Sequence, residues 1–336
     1  MSPSPSLRRR ALLCALPGFA LGCRRSPAPR DHAPSPAASP SVAESPAAAS
    51  PSSPPVAARF DASDRAFQPA PEDFHTKRPA APGDWLARFQ EPDVSFEQYA
   101  DSRPVSRTSE RRAIVIQPLG AFTAAERSLL ERIRGFTSVF FDTPTEIAQA
   151  IELPSRGSRR RTDGPRPWTQ YRTRHLLNRV LPPLLPKHAV CLLGVTMSDL
   201  YPEESWNFVF GEATLEERIG VYSLARYQPG FWGRADTPAA KRLAVLRSFK
   251  VLSHEAGHMF TVSHCVRYEC VMNGSNSLEE MDRQPAFLCP VCLKKLAWNL
   301  GFDVRARYAR LRAIYETEGL TAQVEWIDSR MRRIGS

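Results

Sequence analysis

Between Ser253 and Cys265 the chain sets three histidines and a glutamate at spacings that leave few ways to fold: Ser253-His254-Glu255-Ala256-Gly257-His258-Met259-Phe260-Thr261-Val262-Ser263-His264-Cys265. Upstream, Leu243, Val245, Leu246, Phe249 and Leu252 recur at helical spacing, which predicts a helix running into this stretch. On a helix, positions i and i+4 share a face, so His254 and His258 can hold one ion. Glu255 lies beside them without being a ligand, where a general base must sit to take a proton from a water at the ion. Imidazole ligands suit zinc, and catalytic zinc takes three protein ligands and leaves one position open. His264 is the natural third ligand. It is too far along to share the face of His254 and His258, so the helix must end and the chain must turn back.

Cysteines follow at once: Cys265, Cys270, then Cys289-Pro290-Val291-Cys292. Two pairs of soft ligands, one of them a Cys-x-x-Cys knuckle, fit a closed tetrahedral zinc. Two zinc ions per chain are therefore expected, one catalytic and one structural. Four thiolates on Zn²⁺ carry a net charge of about −2, which Lys294 and Lys295 are placed in sequence to offset. Two disulfides would also satisfy four cysteines in an exported protein. Between the pairs, Asn273-Gly274 signals a turn, and Ser277 with Glu280 predicts a capping box for a helix.

His-Glu-x-x-His followed by a further histidine resembles the metzincin metalloprotease pattern, with Thr261 where that pattern has glycine. A β-branched residue at such a left-handed turn costs on the order of 1–3 kcal/mol, so either the helix ends differently or its neighbours absorb the strain. Met272, in a turn after the third histidine, matches the position of the Met-turn beneath the zinc. Together with Cys265-x4-Cys270-x-Met272 and the later Cys289-x-x-Cys292, the stretch resembles an archaemetzincin. Asn273 to Glu280 and Leu288 to Cys292 are similar to the animal members. Family-like sequence spans roughly 83–335, with the diagnostic motifs confined to 254–292. The resemblance implies a zinc-dependent peptidase of α/β class: a twisted mixed sheet, an active-site helix below a cleft, and a zinc-stapled helical C-terminal part.

The amino terminus has a different character. Arg8-Arg9-Arg10 precede an apolar run from Ala11 to Leu21, then Gly22-Cys23. A basic start, a short apolar run and small residues before a cysteine read as a secretory signal over 1–23. Ala20-Leu21-Gly22-Cys23 resembles a bacterial lipobox, with Cys23 as the lipid-bearing residue, and the arginines also permit twin-arginine export. The alternative is a basic cytoplasmic tail. Residues 24–59 hold nine prolines among alanine and serine, and a disordered tether is expected over 24–82. The peptidase domain is expected over 83–336.

The net charge of +10 is concentrated in two places. Residues 1–60 carry seven arginines against Asp31 and Glu44. Arg156, Arg159, Arg160, Arg161, Arg166, Arg172 and Arg174 face only Asp163. The remainder is close to neutral, and the second cluster lies among Pro and Gly in a loop-like stretch, so no specific nucleic-acid partner is expected.

Within the domain, Ala113 to Gly120 reads as a buried strand. Thr123 with Glu126 caps a helix to about Arg134, and Ser138 to Phe141 reads as the next strand. Ala189 to Thr196 is a further buried strand, with Cys191 a core residue. Asp199 to Ala213 and Gly220 to Tyr227 look like sheet segments, one of them the edge above the cleft. Helices follow Cys292, with Trp298 and Trp326 packing them against the sheet.

The function these features support is hydrolysis of a peptide or protein substrate by a monomeric zinc enzyme, with Glu255 as general base. The competing reading is a zinc-stabilised, catalytically impaired binding protein on a lipoprotein tether in the cell envelope. Intact mass and membrane fractionation test the tether: wild type should begin at Cys23 and partition with membranes, and Cys23→Ser should not. A soluble wild type beginning at Met1 would contradict it.

Overall fold

A computed structural model describes residues 61, 63–163 and 167–335, together with the backbone of Arg10–Ala15. The lipobox, Cys23 and most of the expected tether lie outside the described residues. Among the described residues no helix is long and apolar enough to cross a membrane.

The elements are β1 (Arg10–Ala15), α1 (Trp85–Arg88), α2 (Phe96–Asp101), β2 (Ala113–Leu119), α3 (Ala124–Phe140), β3 (Thr145–Ile147), β4 (Ser158–Arg161), β5 (Trp168–Arg172), α4 (Thr173–His175), β6 (Ala189–Thr196), β7 (Asp199–Tyr201), β8 (Phe208–Thr214), β9 (Ile219–Ser223), α5 (Pro238–Met259), α6 (Leu278–Arg283), α7 (Pro290–Leu300), α8 (Val304–Thr317) and α9 (Thr321–Ile334). The sheet is mixed, in the order β3-β2-β6-β9-β8-β7-β5-β4, with β1 paired antiparallel to β8. β2, β3, β6 and β9 run parallel, and β8 reverses against β9.

Both faces of the central strands are covered, which is why β2 and β6 read as unbroken apolar runs rather than as alternation. One face, with Ile114, Ile116, Leu193, Val195 and Tyr222, packs under α3 and α5. The other, with Val115, Leu192 and Val221, packs on Leu176, Leu177 and Leu181. The expected α/β class is the observed one.

Three local expectations are corrected. α3 has the capping box of Thr123 and Glu126 but continues to Phe140, so Ser138 to Phe141 is not a strand. Its buried residues Leu129, Leu130, Ile133, Phe136, Thr137 and Phe140 keep the helical period, which outweighs the β propensity of Val139-Phe140-Phe141. The ring partners of Trp298 and Trp326 lie outside the sheet. Trp298 meets Phe96 and Tyr99, and Trp326 stacks on Phe287 with centroids 3.7 Å apart.

Folded structure also begins earlier than residue 83. Arg330 of α9 is buried, pairs with Asp73 at 3.0 Å, and donates to the carbonyls of Arg65, Ala66 and Gln68. Phe74 is buried against Phe287 and Trp326, and Thr76 bridges to Tyr268. Residues 64–82 are therefore part of the domain surface, although their composition is that of a linker. Breaking a buried pair by removing one partner costs about 3–5 kcal/mol. Arg330→Ala should lower the free energy of unfolding by about that amount in urea titrations; an unchanged midpoint would show that its hold on residues 64–82 contributes nothing to stability.

Candidate active site and metal centres

α5 carries the first two histidines and is built to be buried. Thr237 caps it, accepting from the Ala240 N–H, and Pro238 occupies its first turn, where a missing N–H does no harm. The hydroxyls of Ser248 and Ser253 turn back to the carbonyls of Ala244 and Phe249, so the helix sinks into the core without orphaned polar groups.

His254 and His258 bring their Nε2 atoms to 2.9 Å from each other, and His264 Nε2 lies 3.2 Å from that of His254. The protonation of each ring follows from its other nitrogen. His254 Nδ1 lies 2.9 Å from the Val271 carbonyl, His258 Nδ1 lies 2.7 Å from the Val262 carbonyl, and His264 Nδ1 lies 2.7 Å from the Glu91 carboxylate. Each of these partners can only accept, so each Nδ1 carries the proton and each Nε2 presents a lone pair. Burial and the neighbouring His264 hold His254 down to about 3, and burial pushes His258 well below the usual histidine range. Three lone pairs facing one another at these distances repel unless a cation sits among them. Ligands of a tetrahedral zinc would stand about 3.3 Å apart, so the donor set fits.

Glu255 projects beside this point. Both of its carboxylate oxygens are buried and unpaired within the protein, and burial, reinforced by Glu212, pushes its pKa well above the usual carboxylate range. Gly211 of β8 lies against it, and a Cβ there would come within 2.7 Å of Glu255 Oε1. An open cleft was the expectation, but His254, Glu255 and His258 are at most 2% exposed and His264 is 7% exposed. The reason is local crowding: β8 lies over Glu255, and Met272 packs under Gly257, where a Cβ would meet its Sδ at 2.5 Å. Met272 thus occupies the floor position expected of it.

α5 ends in a Schellman turn. The N–H of Val262 reaches the Gly257 carbonyl, and that of Thr261 reaches the His258 carbonyl. Thr261 stands at the left-handed position with φ of 65°. Its Oγ1 accepts from the Val105 N–H at 3.0 Å and donates to the Leu215 carbonyl at 3.3 Å, which offsets the strain. The same turn places the Val262 carbonyl on His258 Nδ1, so ending the helix also orients a ligand.

Beyond His264, Cys265, Cys270, Cys289 and Cys292 bring their sulfurs within 4.8 Å of one another, and the described cysteines are free. Cys265 and Cys289 sulfurs lie 3.6 Å apart, near the about 3.8 Å expected across a tetrahedral thiolate zinc and far beyond a disulfide bond. Cys289 caps α7, its sulfur accepting from the Cys292 N–H. The Asn273 side chain ties the connecting turn to the carbonyls of Cys265 and Tyr268 and to the Cys270 N–H. Lys294 and Lys295, expected to offset the cluster's charge, each have a direct partner outside it. Lys294 lies over the Phe96 ring, and Lys295 donates to the Val94 carbonyl. The N-terminus of α7, capped by Cys289, also turns its positive end toward the sulfurs. Ser277 caps α6, but Glu280 does not close the box: its carboxylate accepts from the backbone N–H groups of Trp85 and Asn276.

The sequence signature of Peptidase family M54 matches residues 185–298. Archaemetzincin-2 from Macaca fascicularis is 32% identical over 290 residues, covering 78% of this chain and 77% of the relative. The chain belongs to the archaemetzincin family. The Homo sapiens archaemetzincin-2 is similar to the same extent. The crystal structure of archaemetzincin from Archaeoglobus fulgidus, complexed with malonate, is 29% identical, with 55% of this chain and 99% of that chain covered and a TM-score of 0.42. As an archaemetzincin the chain is a zinc metallopeptidase, acting on peptide or protein substrates.

Several described arginines of the cluster have partners within the protein. Arg159 pairs with Glu204 and donates to the carbonyls of Trp206 and Asn207, while Arg161 and Arg174 pair with Asp163 and Glu203. Glu91 carries no motif in the sequence, and the roles of Glu91, Trp85 and Gly211 at the site appear only through partners distant along the chain.

Thr261 gives a measurable balance. Thr261→Ala keeps the strained backbone and orphans the Val105 N–H, so it should cost about 1–3 kcal/mol. Thr261→Gly loses the same bonds but relieves the strain, and should fall within about 1 kcal/mol of wild type. Urea titrations at fixed zinc compare the three; an alanine variant as stable as wild type would refute the compensation.

Proposed function

We propose that this chain cleaves peptide bonds with His254, His258 and His264 holding a catalytic zinc and Glu255 as the general base. A second zinc sits among Cys265, Cys270, Cys289 and Cys292. The observation that carries the reading is the convergence of three Nε2 lone pairs beside a carboxylate whose two oxygens have no partner in the protein.

Zinc bound there supplies Lewis acidity to a water and to the scissile carbonyl. Glu255 accepts a proton as the water oxygen attacks the carbonyl carbon. It then hands that proton to the leaving nitrogen as the C–N bond breaks, giving a carboxylate and an amine. Val271, Val262 and Glu91 fix the rings through Nδ1, so the ligands need not reorganise.

β8 is the strand that can present an extended substrate. Beside its single pairing with β7, it also pairs antiparallel with Arg10–Ala15, Leu13 standing opposite Gly211, so its hydrogen-bonding groups can take a strand. Gly211 keeps the backbone clear beside Glu255. A catalytically impaired binding protein would draw its support from strain at Thr261, and the hydrogen bonds of Thr261 weigh against it. On sequence alone, the protein is read as a monomeric envelope lipoprotein tethered through Cys23.

Because Glu255 is neither a ligand nor hydrogen-bonded, Glu255→Ala should retain the fold and both metals. Peptide-library cleavage should nonetheless fall by at least about 10²–10⁴-fold. His258→Ala should lose the catalytic zinc and the activity together. Undiminished cleavage by Glu255→Ala would mean that the chemistry runs elsewhere.

A further inference from the structure

The three histidines are not oriented in the same way. His254 and His258 give their Nδ1 protons to backbone carbonyls of the segments that pack directly on α5. His264 alone depends on a side chain, Glu91, from 173 residues earlier in the chain. Both carboxylate oxygens of Glu91 reach His264 Nδ1, at 2.7 and 2.8 Å. Oε1 also accepts the indole N–H of Trp85 at 2.7 Å.

Trp85 is itself held on several sides. Its backbone N–H is accepted by Glu280, and its ring meets that of His264 edge-on at 5.1 Å. The ring occupies space that any Cβ at Gly274 would deny, since that atom would lie 2.5 Å from Trp85 Cδ1. On either side of Glu91 the strap is fastened to the cysteine-bearing lobe. Asp84 pairs with Arg283, Asp93 with Arg267, and the Val94 carbonyl accepts from Lys295. A flexible loop would need none of these ties. Together they aim one carboxylate at one ligand.

We propose that Glu91 is a positioning residue for the catalytic zinc, and that the strap over residues 84–94 is a clasp that completes the site. The Glu91 carboxylate holds His264 with its proton on Nδ1 and its lone pair inward, and strengthens Nε2 as a donor. Trp85 holds Glu91 in turn. Both residues precede the stretch, 185–298, that matches Peptidase family M54. The matched stretch therefore contains all three ligands but not the group that orients the third. The inference rests on the three-histidine site being a zinc centre.

The test uses the full chain with both sites loaded. Zinc affinity of each site is measured by chelator competition, and cobalt(II) placed in the histidine site reports its geometry through the visible spectrum. Loss of such a partner typically weakens metal binding by about 10–100-fold. Glu91→Ala should show that loss at the histidine site, with an altered cobalt spectrum. Glu91→Gln, which keeps an acceptor oxygen but no charge, should fall between it and wild type. Trp85→Phe, which keeps a ring but drops the indole N–H, should weaken binding only a few-fold. The zinc among the cysteines should be unaffected in all three variants, which makes it an internal check on folding.

Wild-type affinity and spectrum in Glu91→Ala would overturn the proposal. Equal weakening at both sites would overturn it too, by showing that the strap only supports the fold. A wild type with no metal at the histidines would be a different failure, of the zinc-site reading itself, and would take this inference with it.

Discussion

Three imidazole nitrogens with no proton to share point at one place, and the rest of the site is arranged around that cost. Two of them come free with helical spacing, because His254 and His258 are one turn apart on α5. The third requires the helix to stop within a few residues, and the Schellman turn does this at Thr261. Every element touching α5 then has to respect the crowding. Gly257 has no side chain because Met272 lies against it, and Gly211 has none because Glu255 does. Glu255 is left buried with two unpaired oxygens, an arrangement that protein groups alone do not stabilise.

The cysteine cluster belongs to the same construction. It joins the segment that leaves His264 to the N-terminus of α7, so a metal there would fix the approach of the third ligand as well as the lobe. Metal affinity at such a closed site is folding free energy. The Cys265 N–H bonds to the Met272 carbonyl, and Asn273 holds the turn between the first cysteine pair and the floor of the site. The histidine and cysteine clusters thus lie on one continuous run of chain, from His254 to Cys292, with residues 84–94 fastened against it.

How much of this was legible depends on how local each signal is. His254, His258, His264 and the four cysteines were legible because metal chemistry demands particular residue types at short spacings. The strands β2 and β6 were legible as unbroken apolar runs, and the helices α8 and α9 from apolar period. Ser138 to Phe141 misled because a short aromatic and β-branched run satisfies a strand as well as the last turn of a helix. Residues 64–82 look like a linker because Arg330 and Trp326, which hold them, lie some 250 positions away. Glu91 could not have been found at all: nothing in Phe89-Gln90-Glu91-Pro92 distinguishes it until His264 stands beside it. Lys294 and Lys295 show the converse, since proximity in sequence suggested a charge partner for the cluster while their direct partners are Phe96 and Val94.

The central claim is that two different donor sets each enclose one zinc. Diffraction data collected on either side of the zinc absorption edge test it directly, from crystals grown without chelator. Two anomalous peaks per chain are predicted, one among the Nε2 atoms of His254, His258 and His264 and one among the sulfurs of Cys265, Cys270, Cys289 and Cys292. A map with no peak at the histidines, or with the cysteines joined as disulfides, would contradict it.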